Sequence, residues 1–244
     1  MIYLTLRRAV AVLCCSAAAG CGLISSDVTN FDLTLPDKKF TIDASNWKVD
    51  TAKASILFTA DGKLKSVSCS ANQSVCSSAV MAACPMGCTG TCNTTSDSCE
   101  MSLDISLSQQ VDLMKEKPEL ESINSEPVIK VSIDSVTYEV TSNSLNVATP
   151  DINVSVAPTS AVTATDAQVK LIGTIPSIQP GWTTSGPEML MFTATGKALL
   201  VDIMSHFKTP FNVWVGSALH ITAGQALPMG KLEAVVHITG HAGV

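Results

Sequence analysis

The run Val128-Ile129-Lys130-Val131-Ser132-Ile133-Asp134-Ser135-Val136-Thr137-Tyr138-Glu139-Val140 decides the fold class. Successive side chains of an extended chain point to opposite faces. Ile129, Val131 and Ile133 therefore share one face. Val136, Tyr138 and Val140 resume the alternation with the other parity. The change falls at Asp134-Ser135 and marks either a turn or a bulge. β-Branched and aromatic residues suit such a pleated, half-buried surface.

Working outward, the same rhythm recurs. Downstream, Leu145 and Val147 follow Asn143, and Ile152, Val154 and Val156 form a strand ended by Pro158. A mixed piece, 162–175, closes at Pro176, and Pro180-Gly181 signals a turn. Residues 188–194 read as a short apolar strand or the approach to a helix. The one convincing helix covers 196–207, where Leu199, Leu200, Ile203, Met204 and Phe207 form a single stripe. Thr195 is the expected cap and Pro210 the stop. Phe211 to Ile221 and Leu232 to Ile238 then alternate around a Pro228-Met229-Gly230 turn.

Upstream, Met101 to Leu107 alternates cleanly. Lys115 to Glu119 reads as a solvated loop or one helical turn. Phe31 to Leu35, a turn at Pro36 to Lys39, and Phe40 to Asp43 suggest a first hairpin. Ala54 to Phe58 fits either helix or strand, and Asp61-Gly62 is a turn. Many short strands with Gly/Pro turns predict a mainly β protein. The expected architecture is an antiparallel β-sandwich or open barrel with one covering helix and a disulfide-rich insertion.

That insertion spans 66–99. It holds Cys69, Cys76, Cys84, Cys88, Cys92 and Cys99 among Ser, Asn and Thr, with almost no large apolar side chain. Six cysteines so close together, in a chain whose amino-terminal segment (below) reads as an export signal, are expected to form a disulfide framework with fifteen formal pairings. The spacing contains no C-x-x-C pair and no nearby His, which disfavours zinc or a redox dithiol. Pro85, Gly87 and Gly90 argue against a helix through Cys84, Cys88 and Cys92. A segment this poor in apolar residues is expected to lie on the surface as a cross-linked loop or miniature domain, ordered by its disulfides.

At the other end, Arg7 and Arg8 precede an apolar stretch, 9–19, broken only by Ser16. It is too short to span a bilayer. Ala18-Ala19-Gly20-Cys21 follows, three small residues before a cysteine. This segment resembles the lipobox of bacterial lipoproteins. The resemblance implies cleavage after Gly20, acylation of Cys21, and a membrane anchor of several acyl chains. Gly22 stands where that family's inner-membrane retention signal has Asp, which implies the outer membrane. The expected organisation is a signal peptide at 1–20, lipidated Cys21 and a tether at 21–30, a β segment at 31–65, the insertion at 66–99, and the main β region at 100–244. Residues 127–242 also bear a loose likeness to the immunoglobulin-like sandwiches of the late-embryogenesis-abundant/WHy group. Strand rhythm, Pro210-Phe211 and Pro228-Met229-Gly230 carry it, and it implies no catalytic residues.

The 244-residue chain has a formal charge of −6, or −8 without Arg7 and Arg8, and no Lys/Arg cluster. It therefore has no general attraction for nucleic acid. No G-x-S-x-G elbow, phosphate loop or paired-carboxylate signature is present. His237 and His220 could meet Glu233 if their strands paired, which would bring together the three ligands a zinc site needs. Met189-Leu190-Met191 reads as packing. Trp182, just after a Pro-Gly turn, and Trp47 are the candidate partner-binding aromatics. Trp47 and Trp214 also fit core or rim positions. The reading is a non-enzymatic envelope lipoprotein, without a cofactor, that binds or positions another envelope protein or glycan. A purely structural lipoprotein and an exported hydrolase are the alternatives.

Overall fold

The computed structural model describes residues 31–243. It is a mainly β protein built from two antiparallel sheets, as the alternation predicts. Cys21 and the tether lie outside the described residues.

The first sheet is organised by β11 (Lys231–Gly243) and β5 (Lys130–Asn143), paired along their length. The register shifts where Ser135 and Ile133 face Thr239 and Gly240, leaving Asp134 as the extra residue. The parity change in the opening run is thus a bulge. Its product is visible: Asp134 is turned out and lies 3.0 Å from His241 Nε2. The buried set, Ile133, Val136, Tyr138 and Val140, keeps facing the core on both sides of the bulge.

On the other side of β11 run β1 (Phe31–Asp32) and β2 (Lys38–Asp43). They do not form the expected hairpin. Both pair antiparallel with β11, end to end. Phe31 faces Ala242 and Lys38 faces Val236, so the register slips by one residue across Pro36-Asp37. Proline removes a ladder donor and is tolerated at a sheet edge or bulge, so the dipeptide interrupts one edge strand instead of reversing it.

The second sheet has the order β3 (Cys88–Asn93), β4 (Ser98–Val111), β10 (Phe211–Ile221), β6 (Ile152–Pro158), β7 (Lys170–Ile175) and β9 (Met191–Phe192). The short β8 (Glu188–Met189) pairs with β5 in the first sheet, and β9 pairs with β7 in the second. Leu190 between them is buried, so five residues cross from one sheet to the other and close that side of the sandwich.

The opposite side is closed by side chains. Lys38 Nζ of β2 lies 2.6 Å from Glu116 Oε1, with both side chains largely buried. Glu116 ends α2 (Leu113–Glu116), a single turn capped by Asp112. The mixed-charge run is therefore a helical turn whose Glu116 points inward to a partner, not to solvent.

The cysteine segment is also different from the expectation. It contains α1 (Ser74–Ala83), which stops just before Cys84-Pro85, and β3, which pairs with β4. Cys76, Val80 and Ala83 are buried in the common core. Small residues succeed here because α1 packs directly on the backbone. A Cβ on Gly90 would lie 2.4 Å from the Cys76 carbonyl. The segment is an integral sheet edge, not a separate loop or miniature domain.

The covering helix α3 (Gly196–Ser205) packs against β5 of one sheet and β7 of the other. Leu200, Met204 and Phe207 are buried, as the stripe predicts. Thr195 makes no side-chain capping bond. Close approach fixes this end instead: a Cβ on Gly196 would lie 1.7 Å from the Ile172 carbonyl. Ala54 to Phe58 is neither helix nor strand but a turn closed by a Phe58–Leu64 bridge.

Candidate functional site

The outward face of the second sheet carries a cleft of about 960 Å³. Strand parity builds its floor. Val213, Val215, Leu219 and Ile221 of β10 point into the core. Trp214, Gly216, Ala218 and His220 therefore point outward. Their partners on β4 are Ser108, Ser106, Asp104 and Ser102, and Gly216 and Trp214 face Asn153 and Ser155 on β6. One wall comes from Thr163, Ala164 and Thr165 in the β6–β7 connection. The other comes from Asp43, Asn46, Trp47, Met86 and Gly87.

Each wall is pinned to the floor. Trp47 Nε1 donates to the Asp104 carbonyl at 2.9 Å, and Asp104 N donates to the Gly87 carbonyl at 2.7 Å. The Ala164 amide donates to Ser106 Oγ at 3.3 Å. Trp214 sits beneath the 163–165 wall with Ala157 and Ala161, 5% exposed, and its Nε1 has no hydrogen-bond partner among the described residues.

The electrostatics are one-sided. Asp43 bonds to Lys231 Nζ at 2.8 Å and to Ser45, and these bonds, Lys231 first, hold its carboxyl down at about 2. Asp104 is exposed, with no ion pair to any described residue. No lysine or arginine lines the cleft. The remaining polar groups are hydroxyls, the amides of Asn46 and Asn153, and His220.

His220 Nδ1 lies 2.8 Å from Ser102 Oγ. A nucleophile–base pair of this kind needs a third group to orient the ring. Among the described residues no carboxylate lies within 4.0 Å of either His220 nitrogen. Ser217 is spoken for as well: its hydroxyl donates to the Asp151 carbonyl.

The expected convergence of His220, His237 and Glu233 does not occur. His220 is on β10 and His237 on β11, strands of different sheets. The two are separated because each strand pairs with neighbours from elsewhere in the chain. His237 Nδ1 instead meets Asp37 Oδ1 at 2.7 Å, with Glu139 4.0 Å from Nε2. That gives one imidazole and no third ligand.

The six cysteines pair as Cys69–Cys92, Cys76–Cys99 and Cys84–Cys88. The first two loops cross and the third is nested inside both. The sulfurs of Cys69, Cys76 and Cys99 lie within 4.8 Å of one another. All three belong to disulfides and so present no thiolate to a metal. Asp97 braces this corner, accepting from the Ser68 hydroxyl and the Ser70 and Cys69 amides. Those bonds hold its carboxyl well below the usual range.

Trp182 is 39% exposed on the Pro180-Gly181 turn. It lies at the end of β5 remote from Phe31, where Asn143 Nδ2 donates to both the Gln179 and Trp182 carbonyls. It does not line the cleft; Trp47 does. Met189 and Met191 are exposed, while Leu190 between them is buried.

Sequence reasoning missed Asp104, Ser106 and Asn153. Their signal was present in the small polar residues on the outward positions of two strands, a pattern shared with any solvated sheet face. No known protein-family model matches this chain, and no curated protein is significantly similar to it. Among the described residues, no helix is long and apolar enough to cross a membrane.

Proposed function

We propose that this chain is a non-enzymatic, lipid-anchored envelope protein, held in the outer membrane by acylated Cys21, whose sandwich binds or positions another envelope component. The observation that carries the binding part is the open cleft on the outer face of the second sheet. It is built from rigidly paired strands and pinned walls, yet it holds no oriented acid–base set. Preformed concave sites with a few placed polar groups are where ligands bind.

The anchor part rests on the lipobox-like run. Phe31 lies at one end of the first sheet, beside Ala242. Residues 22–30 reach at most ~30 Å when extended. The Phe31 end is then held near the bilayer, and the Trp182 turn at the other end of β5 is presented away from it.

The test has two arms. Mass analysis of the amino-terminal peptide, taken from native membranes, is expected to find Cys21 diacylglyceryl-modified and N-acylated. Cross-linking in intact cells is expected to join the protein to a distinct envelope component. An unmodified amino terminus removes the anchor, and cross-links to lipid alone favour a purely structural lipoprotein. Among the described residues, the Ser102–His220 contact favours an exported hydrolase. Esterase activity abolished by Ser102→Ala would establish that reading.

A further inference from the structure

We infer that the cleft over β4, β10 and β6 is a binding site for a neutral glycan; this rests on the reading above and names the component bound. Three observations converge on that chemistry.

The first is charge. The cleft is lined by Asp43 and Asp104 and by no lysine or arginine. Ligands bearing phosphate, sulfate or carboxylate would meet the unpaired Asp104 carboxylate and find no lysine or arginine lining the cleft to bind them. The ligand must therefore be neutral or cationic. Asp43 is already neutralised by Lys231. One free carboxylate is a weak lure for a polycation.

The second is the hydrogen-bonding set. Ser155, Thr163, Thr165 and Asn153 offer groups that both donate and accept. Asp104 adds a strong acceptor. A polyhydroxylated ligand satisfies such a mixture at every hydroxyl, whereas an apolar ligand would strand it.

The third is the tryptophan pair. Two of the three tryptophans in the chain line this one cleft. Trp214 is more than nine-tenths buried, with an indole N–H that no described residue accepts. An orphaned buried donor costs about 1–3 kcal/mol. A ligand oxygen reaching it past the 163–165 wall relieves that cost. The cleft, about 960 Å³, is at the large end of the range typical for ligand sites.

The test uses the folded mature chain and soluble probes. Maltohexaose and chitohexaose are the neutral arm, an oligogalacturonate the anionic arm, and hexalysine the cationic arm. Binding is followed by calorimetry and by tryptophan fluorescence. At least one neutral oligosaccharide is expected to bind saturably and shift the emission, with no binding of the oligogalacturonate. Ala218→Trp fills the floor opposite Asp104 and is expected to abolish binding. Asp104→Ala is expected to weaken it about tenfold, and Asp104→Asn, which keeps a carbonyl acceptor, less than about threefold. The thermal midpoint of each variant confirms folding.

The proposal is overturned if no neutral probe binds at millimolar concentration. It is overturned equally if Ala218→Trp leaves binding unchanged, or if hexalysine binds best and loses affinity in Asp104→Asn, the signature of a cationic peptide site. Its failure leaves the anchor standing, since that is read from the amino-terminal peptide. Glycan binding by a protein with an unmodified amino terminus would separate the two in the other direction.

Discussion

The two edges of the six-stranded sheet reach the same end by different chemistry. At the β3 edge, α1 lies on the strand with few large side chains between them. Crossed disulfides, Cys69–Cys92 and Cys76–Cys99, hold the layers together. At the β7–β9 edge, α3 lies on the sheet with Leu200, Met204, Phe207 and Leu190 buried beneath it. Each edge places a glycine where helix and strand backbones meet, Gly90 at one and Gly196 at the other. The difference shows what a disulfide substitutes for. Where apolar area is scarce, restricting the unfolded chain replaces burial as the source of stability.

The comparison is broken most directly by removing each edge's own support. The joint change Cys76→Ala/Cys99→Ala is expected to cost about 3–4 kcal/mol, from the closure entropy of a loop of this length. Leu200→Ala, at a fully buried site, is expected to cost a similar 2–5 kcal/mol. Reductant distinguishes them. Added to the wild type, it should collapse hydrogen-exchange protection in β3 and α1 first and leave α3 protected. Simultaneous loss in both would mean that the two edges do not differ as described.

A smaller effect is expected at the two glycines. Gly196→Ala and Gly90→Ala each force a backbone shift and should cost about 1–3 kcal/mol, measured by chemical denaturation. The Gly90 variant should also lower protection around Cys76, because the Cys76 carbonyl is the atom displaced.

Tyr138 sharpens the apolar side of the comparison. Its hydroxyl donates to Glu188 at 2.8 Å, tying β5 to the strand that crosses between sheets. Burial first, and Glu188 second, push its pKa up to about 12. A raised pKa means that the contribution is complete below the ordinary value near 10 and is lost as pH climbs toward 12. Tyr138→Phe should cost about 1–2 kcal/mol near neutrality and remove that alkaline component of unfolding.

The smallest effect belongs to Asp97 on the disulfide side. Its carboxyl is lowered by Ser68 first, then by the Ser70 and Cys69 amides. Its bonds are therefore complete above the ordinary carboxylate range and fail only as pH falls below it. Amide exchange at 68–70 should rise there while the core stays folded, and Asp97→Ala should show the raised exchange already at neutral pH.

Much of this was legible from residue order. The alternation in 128–140 announced extended structure, realised as the single strand β5, and the parity change at Asp134 announced its bulge or turn. The α3 stripe named its buried residues. The hairpin expected at 31–43 failed because Pro36-Asp37 carries the same local signal whether a chain reverses or skips one rung of a long partner. The cysteine segment was underestimated because burial was judged by side-chain size, while Gly90 lets the strand backbone lie against the helix backbone at Cys76. The cleft was illegible because its floor is assembled from 102–108, 153–155 and 214–220, which become neighbours only through β4–β10–β6 pairing.

Taken alone, the amino-acid order determined what each segment must do locally: alternate, turn, coil into a helix, or cross-link. Those choices follow from short-range sterics and from the period of apolar residues, which are properties of adjacent positions. Tertiary structure decided which strands share a sheet, which cysteines meet, and that Asp104, Asn153 and Trp214 line one cavity. Those are long-range choices, made by the packing of the whole core, and no window of neighbouring residues contains them.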